Sequence, residues 1–167
     1  MSAFEIGEGF AGDGPNAAHV NTMFGPKDGP VGVAWATALA TPRAGHAAFV
    51  VVAAPNLPVK PMTLFVNKAT VDPDDERHAR LTWGAAQAGV AAGVVEAHHA
   101  GVLGPATADG HVLIAAVWVN PEADDEEAVY ANNRDATLAA VRNGGAAAPE
   151  LESVLDAGEP RNPYFRA

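Results

Sequence analysis

Two residues on one predicted strand, His19 and Asn21, come first among the side chains of this chain that could do chemistry. Residues 16–24, NAAHVNTMF, read as a strand. Its period of two puts His19, Asn21 and Met23 on one face and Val20, Thr22 and Phe24 on the other. An imidazole can act as acid or base near neutral pH, although most strand histidines are simply satisfied or exposed. A second group leaves the stretch 49–70, FVVVAAPNLPVKPMTLFVNKAT, which delivers Asn67, Lys68 and Thr70. Three prolines in seven residues stiffen its turn by fixing φ and removing donors. A lysine leaving a buried strand beside a rigid turn can hold a cation in a pocket; an ordinary strand pair with a surface lysine has the same local pattern. Gln87 is the third candidate, the one long uncharged polar side chain on a small-residue helix face. Buried there, its amide needs partners.

Two other patterns carry less. Gly7-x-Gly9-x-x-Gly12 matches a dinucleotide fingerprint in form. Almost no strand precedes it, and Asp13-Gly14-Pro15 stands where a helix should open onto a pyrophosphate. A glycine-rich strand and turn is the expectation. His98-His99 resembles a metal box, but adjacent helix residues point about 100° apart and do not converge on one ion. A cationic helix end is the better reading, and no metal site is expected.

The elements that must position these residues follow from periodicity and punctuation. Residues 31–39 form a short Ala-rich helix ended by Thr41-Pro42. The apolar runs 49–54 and 63–66 read as two strands flanking the Pro-rich turn. Asp72 to Glu76 open an acidic helix start, and a helix dense in Ala, Gly and Val extends over 76–100. Gly84, Gly89 and Gly93 each weaken it by about 1 kcal/mol relative to Ala, so close packing must compensate. Residues 112–119, VLIAAVWV, are a strand buried on both faces. A last helix spans 124–142, stopped by Gly144-Gly145. Residues 146–167 form a surface or intersubunit tail with Tyr164 and Phe165 as anchors. The order ββαββαβα in a single domain over 1–167 gives a two-layer α/β (α+β) sandwich.

Composition bounds the partners. The chain has 167 residues, 49% of them hydrophobic, and a net charge of −10. That length supports a real core, and that charge disfavours a nucleic-acid backbone or an anionic membrane. No cysteine is present, so disulfides and thiolate metal sites are excluded and a reducing compartment fits. MSAFEIGEGF has neither the basic start nor the apolar core of a signal peptide, and no apolar run reaches membrane-spanning length. The expectation is a cytoplasmic protein.

Four stretches go further together: GEGFAGDG…AAHVN, APNLPVKPMTLFVNKAT, WGAAQAGVAAGVVEA and the closing NPYF. They resemble the formaldehyde-activating enzyme family over about residues 5–145, with a weaker echo in the tail. The long core motif makes chance similarity very small. The resemblance implies condensation of formaldehyde with tetrahydromethanopterin, a co-substrate rather than a permanently bound cofactor. It also implies a ribosomal-protein-S5-domain-2-like fold and a homopentamer with pterin sites between subunits. By position, His19 matches the family's general acid, and Lys68, Thr70 and Gln87 match pterin contacts. Val50 falls where the family has leucine, and Asn21 where the family pattern has aspartate.

That last departure bears on the chemistry. A pterin amine adds to formaldehyde, and the hydroxyl that then leaves needs a proton, which a histidine can give. An aspartate sharing the strand face would stabilise the imidazolium; Asn21 can hydrogen-bond a pterin amide edge but brings no charge. The implied consequences are a weaker acid, a different one-carbon acceptor or lost catalysis. Formaldehyde adds to amines unaided, so a non-catalytic relative that binds a pterin, or senses or buffers an aldehyde, is the alternative. A third reading uses the same fold for an unrelated small molecule or as a scaffold.

Overall fold

The computed structural model describes residues 4–162, so the expected anchors Tyr164 and Phe165 lie outside the described residues. Seven strands and five helices follow one another as β1 (Glu5–Ala11), β2 (Ala18–Pro26), α1 (Pro30–Ala40), β3 (Phe49–Val50), β4 (Val52–Ala54), β5 (Leu57–Pro58), β6 (Met62–Asn67), α2 (Glu76–Arg80), α3 (Gln87–His99), β7 (His111–Trp118), α4 (Glu126–Gly145) and α5 (Leu151–Asp156). A five-stranded sheet has the order β1-β2-β7-β6-β3, antiparallel except between β6 and β7. The α+β two-layer sandwich holds: β-residues of period two face α3 and α4 across one main core.

The face carrying Ala18, Val20, Phe65, Leu113, Ala115 and Val117 is fully buried under those helices. Here the glycine fingerprint finds its cause. A methyl group on Gly7 or Gly9 would collide with the carbonyls of Ala140 or Ala136, so glycine lets β1 lie directly against α4. Gly89 and Gly93 do the same for α3, whose backbone approaches Tyr130, Asn133 and Arg134 of α4. Close packing accounts for Gly89 and Gly93 but not for Gly84, where an added methyl would meet only Arg80 Cγ at 3.9 Å.

The other face is covered at one end only. Val31, Ala34, Trp35 and Ala38 of α1 pack on Leu64, Val112, Ile114 and Met23. Eleven residues of helix reach about 16 Å, and the strand ends beyond them stay open.

Four details depart from the sequence reading. The run 49–54 is divided at Val51, whose N–H donates to Thr63 O and whose carbonyl accepts from Val59. Its second half turns away as β4 to pair with β5, through Asn56 in a left-handed conformation (φ 65°). The long helix changes phase in a π-helical segment, Leu81–Ala86, between α2 and α3. The helix α4 runs three residues past the expected 142 and ends at Gly145, capped by Ala146, while Gly144 packs on the backbone of Ile6 and Gly7. Finally, residues 151–156 of the tail are helical, with Leu151, Val154 and Leu155 exposed on one side.

Candidate functional site

The open half of the sheet holds a cavity of about 430 Å³ lined by His19, Asn21, Lys68 and Trp118. The register explains the grouping. His19 on β2 lies opposite Trp118 on β7, and Asn21 lies opposite Ala116, which in turn pairs with Val66 on β6. Lys68 follows one residue past β6 and continues that face, its N–H donating to Val117 O at 2.7 Å. Two neighbouring strands and the exit of a third therefore bring the candidate side chains to one place.

Glu8 stands behind His19. In the β1–β2 register it is directly opposite Asn21 and diagonal to His19. Its Oε1 lies 3.0 Å from His19 Nε2. At that distance the two side chains form an ion pair when the imidazole is protonated. The Phe10 ring meets the imidazole edge-on at 6.2 Å between centroids.

The β6 exit is held by a separate network. Asn67 is buried, and its amide donates to Gly45 O and Ala69 O, each at 2.7 Å. His46 Nδ1 lies 3.0 Å from Asn67 O, so Nδ1 is the donor. In that tautomer Nε2 accepts from Thr70 Oγ1 at 2.9 Å. In that neutral tautomer Thr70 spends its one hydrogen on His46 and keeps only acceptor capacity.

His19, Asn21 and Lys68 line one cavity together with Trp118. Thr70 is two residues past Lys68 but does not line the cavity. Val50 shares the sheet face, one strand beyond β6, where it pairs with Leu64. Gln87 is elsewhere: it opens α3, which packs on the opposite face of the sheet, directly after the π-helical segment. His98 Nε2 lies 2.6 Å from Lys60 O, which ties the end of α3 to the Pro-rich turn. Among the described residues no three His, Asp or Glu side chains are placed to hold a metal ion, and no helix is long and apolar enough to cross a membrane.

Sequence reasoning missed Glu8, Trp118 and His46. Alternation inside GEGF was a usable signal, since Gly7 and Gly9 on one face leave Ile6, Glu8 and Phe10 on the other. What it lacked was the register that sets Glu8 beside His19.

The sequence profile of the family described as "Formaldehyde-activating enzyme (Fae)" matches residues 6–165. A "5,6,7,8-tetrahydromethanopterin hydro-lyase" of Methanosarcina barkeri is 36% identical over 160 residues, 96% of this chain and 89% of that protein. A "Bifunctional enzyme Fae/Hps" of Archaeoglobus fulgidus is 39% identical over 152 residues, 91% of this chain. One of the same name from Methanococcoides burtonii is 40% identical over 150 residues, 90% of this chain. This chain spans 38% and 37% of the length of those two bifunctional relatives.

Proposed function

Because the chain belongs to the formaldehyde-activating enzyme family, we propose that it condenses formaldehyde with tetrahydromethanopterin, or a related tetrahydropterin, giving the methylene-tetrahydropterin and water. The observation that carries this reading is the open cavity where His19, Asn21 and Lys68 converge. No separate cofactor is required, because the pterin is itself a substrate.

N5 of the reduced pterin attacks the aldehyde carbon, and its proton passes to the oxygen, giving a hydroxymethyl amine. His19 protonates that hydroxyl. The C–O bond breaks with its electron pair on oxygen, water leaves, and the N5 lone pair forms the iminium. N10 then adds to the iminium carbon and releases its proton, which restores the imidazolium. The acid's share is about 10²- to 10⁴-fold in rate. Holding amine and aldehyde together adds a proximity contribution.

Lys68 supplies a cation for the polar edge or a tail anion of the pterin. Asn21 and the acceptor capacity of Thr70 suit its amide edge, and Val50 gives an apolar wall. Gln87 on the far side of the sheet fits a site completed by a second copy of the chain, a homo-oligomer with pterin between subunits, pentameric by family likeness. The exposed stripe Leu151, Val154 and Leu155 on α5 supports a tail that packs on a neighbour. The acidic, cysteine-free composition suits a cytoplasmic protein acting on small molecules rather than on nucleic acid or membrane.

Asn21 favoured a non-catalytic pterin-binding or formaldehyde-buffering relative. A carboxylate at His19 from another strand weakens that alternative. Single-turnover rates with wild type and His19→Ala test the assignment. Loss of the acceleration with pterin binding retained is expected, and a His19→Ala variant with full acceleration would overturn the acid role.

A further inference from the structure

Resting on the reaction proposed above, we propose that Glu8 is the positioning residue that equips His19 as the acid in this chain. Its carboxylate holds Nε2, leaves Nδ1 as the nitrogen that delivers the proton, and supplies the negative charge that Asn21 lacks.

Geometry on both sides of the strand supports this. On the open face, the Glu8 carboxylate lies 3.0 Å from His19 Nε2, within ion-pair distance of a protonated ring, while no described residue bonds Nδ1. An imidazolium held this way has one N–H engaged and one N–H free for the departing hydroxyl, the division of labour of a carboxylate-oriented histidine. On the closed face, the residues flanking Glu8 are Gly7 and Gly9, pressed against the carbonyls of Ala140 and Ala136. Asn143 of α4 donates to the Glu8 carbonyl at 2.8 Å. The backbone that carries this carboxylate is therefore clamped by α4, although the side chain itself is solvated. Water expelled by a bound pterin would strengthen the pairing of carboxylate and imidazolium.

The same geometry reverses the simple expectation for Asn21. An aspartate at that position would sit directly opposite Glu8, and like charges directly opposite across two strands repel. Asn21→Asp in the wild-type background should therefore bring no gain. In a Glu8→Gln background it should restore the carboxylate that His19 has lost.

The test measures methylene-tetrahydromethanopterin formation above the spontaneous rate in wild type, Glu8→Gln, Glu8→Asp, Asn21→Asp and the double variant Glu8→Gln/Asn21→Asp. Glu8→Gln is expected to lower kcat by about 10- to 100-fold with KM for the pterin within about twofold. Glu8→Asp should recover part of the loss, and the double variant should exceed Glu8→Gln alone. An unchanged kcat in Glu8→Gln would overturn the proposal while leaving the reaction in place. So would a fall in kcat accompanied by an equal loss of pterin binding and a lowered Tm, which marks a structural role. Nitrogen-15 NMR of the His19 ring separates the two ideas, since the pair predicts protonated Nε2 in wild type and a changed tautomer balance in Glu8→Gln. If wild type shows no acceleration, the reaction reading has failed and the ring spectrum decides the pair alone: altered shifts retain it, and identical shifts overturn it.

Discussion

The two faces of one sheet answer to different demands. Under α3 and α4 the buried positions are mostly apolar or small, with the side-chain oxygens of Thr82, Asn133 and Thr137 left unpaired among them, and glycines at 7, 9, 89 and 93 bring backbones into contact. On the opposite face α1 covers one end, and the uncovered end exposes an imidazole, an amide, a lysine and an indole around one cavity. Alternate residues of the same strands build both: Gly7 and Gly9 seat β1, and Glu8 between them reaches His19. Packing on one face fixes the geometry of the side chains presented on the other.

That contrast can be broken from either side. The largest effect should come from the open face. His19→Ala is expected to cost about 10²- to 10⁴-fold in the catalysed rate while moving stability by less than about 0.5 kcal/mol. Kinetics and chemical denaturation on the same preparation check both halves. From the closed face, Gly9→Ala drives a methyl into the Ala136 carbonyl and should destabilise by about 1–3 kcal/mol, read as a lower urea midpoint. If Gly9→Ala instead left stability intact and removed activity, the glycines would belong to the site and the division of labour would be wrong.

Asn67 sits on the boundary. It is buried, yet it fixes the exit of β6 that carries Lys68 and, through His46, Thr70. Asn67→Ala strands the carbonyls of Gly45 and Ala69, so a loss of about 1–3 kcal/mol is expected, together with a raised KM for the pterin. Thermal melts and steady-state kinetics distinguish this from a purely local change.

The smallest effect is expected far from both faces. Asp109 receives a 2.6 Å bond from Lys60, and that hydrogen bond, with the ammonium charge, holds its carboxyl below the usual aspartate value. A folded-state value below the unfolded one stabilises above the ordinary aspartate range and loses that stabilisation as pH falls through the lowered value. Both side chains are solvated, so Asp109→Asn should barely change Tm at neutral pH. The two proteins should melt together in acid.

Much of this was legible in the sequence. Periodicity separated His19, Asn21 and Met23 from Val20, Thr22 and Phe24, and the faces follow that split. The strands at 62–67 and 111–118 and both long helices sit within a few residues of their expected bounds. Local pattern failed where the reason was tertiary. Gly144 looks like a helix stop but is a contact with β1, and the π-helical segment before Gln87 leaves no trace in composition. Glu8 was hidden for the same reason: its partner is eleven residues away and is set by register, not by spacing. The identity of the candidate residues came from likeness to a family, and their convergence came from the sheet.

Whether the open face does chemistry is decided by a comparison of rates. Stopped-flow mixing of formaldehyde with tetrahydromethanopterin, with and without this protein, compares catalysed and spontaneous formation of the methylene product. The account predicts an acceleration that rises linearly with protein concentration and disappears in His19→Ala. Identical rates with and without the protein, at concentrations where pterin binding is saturated, would contradict it.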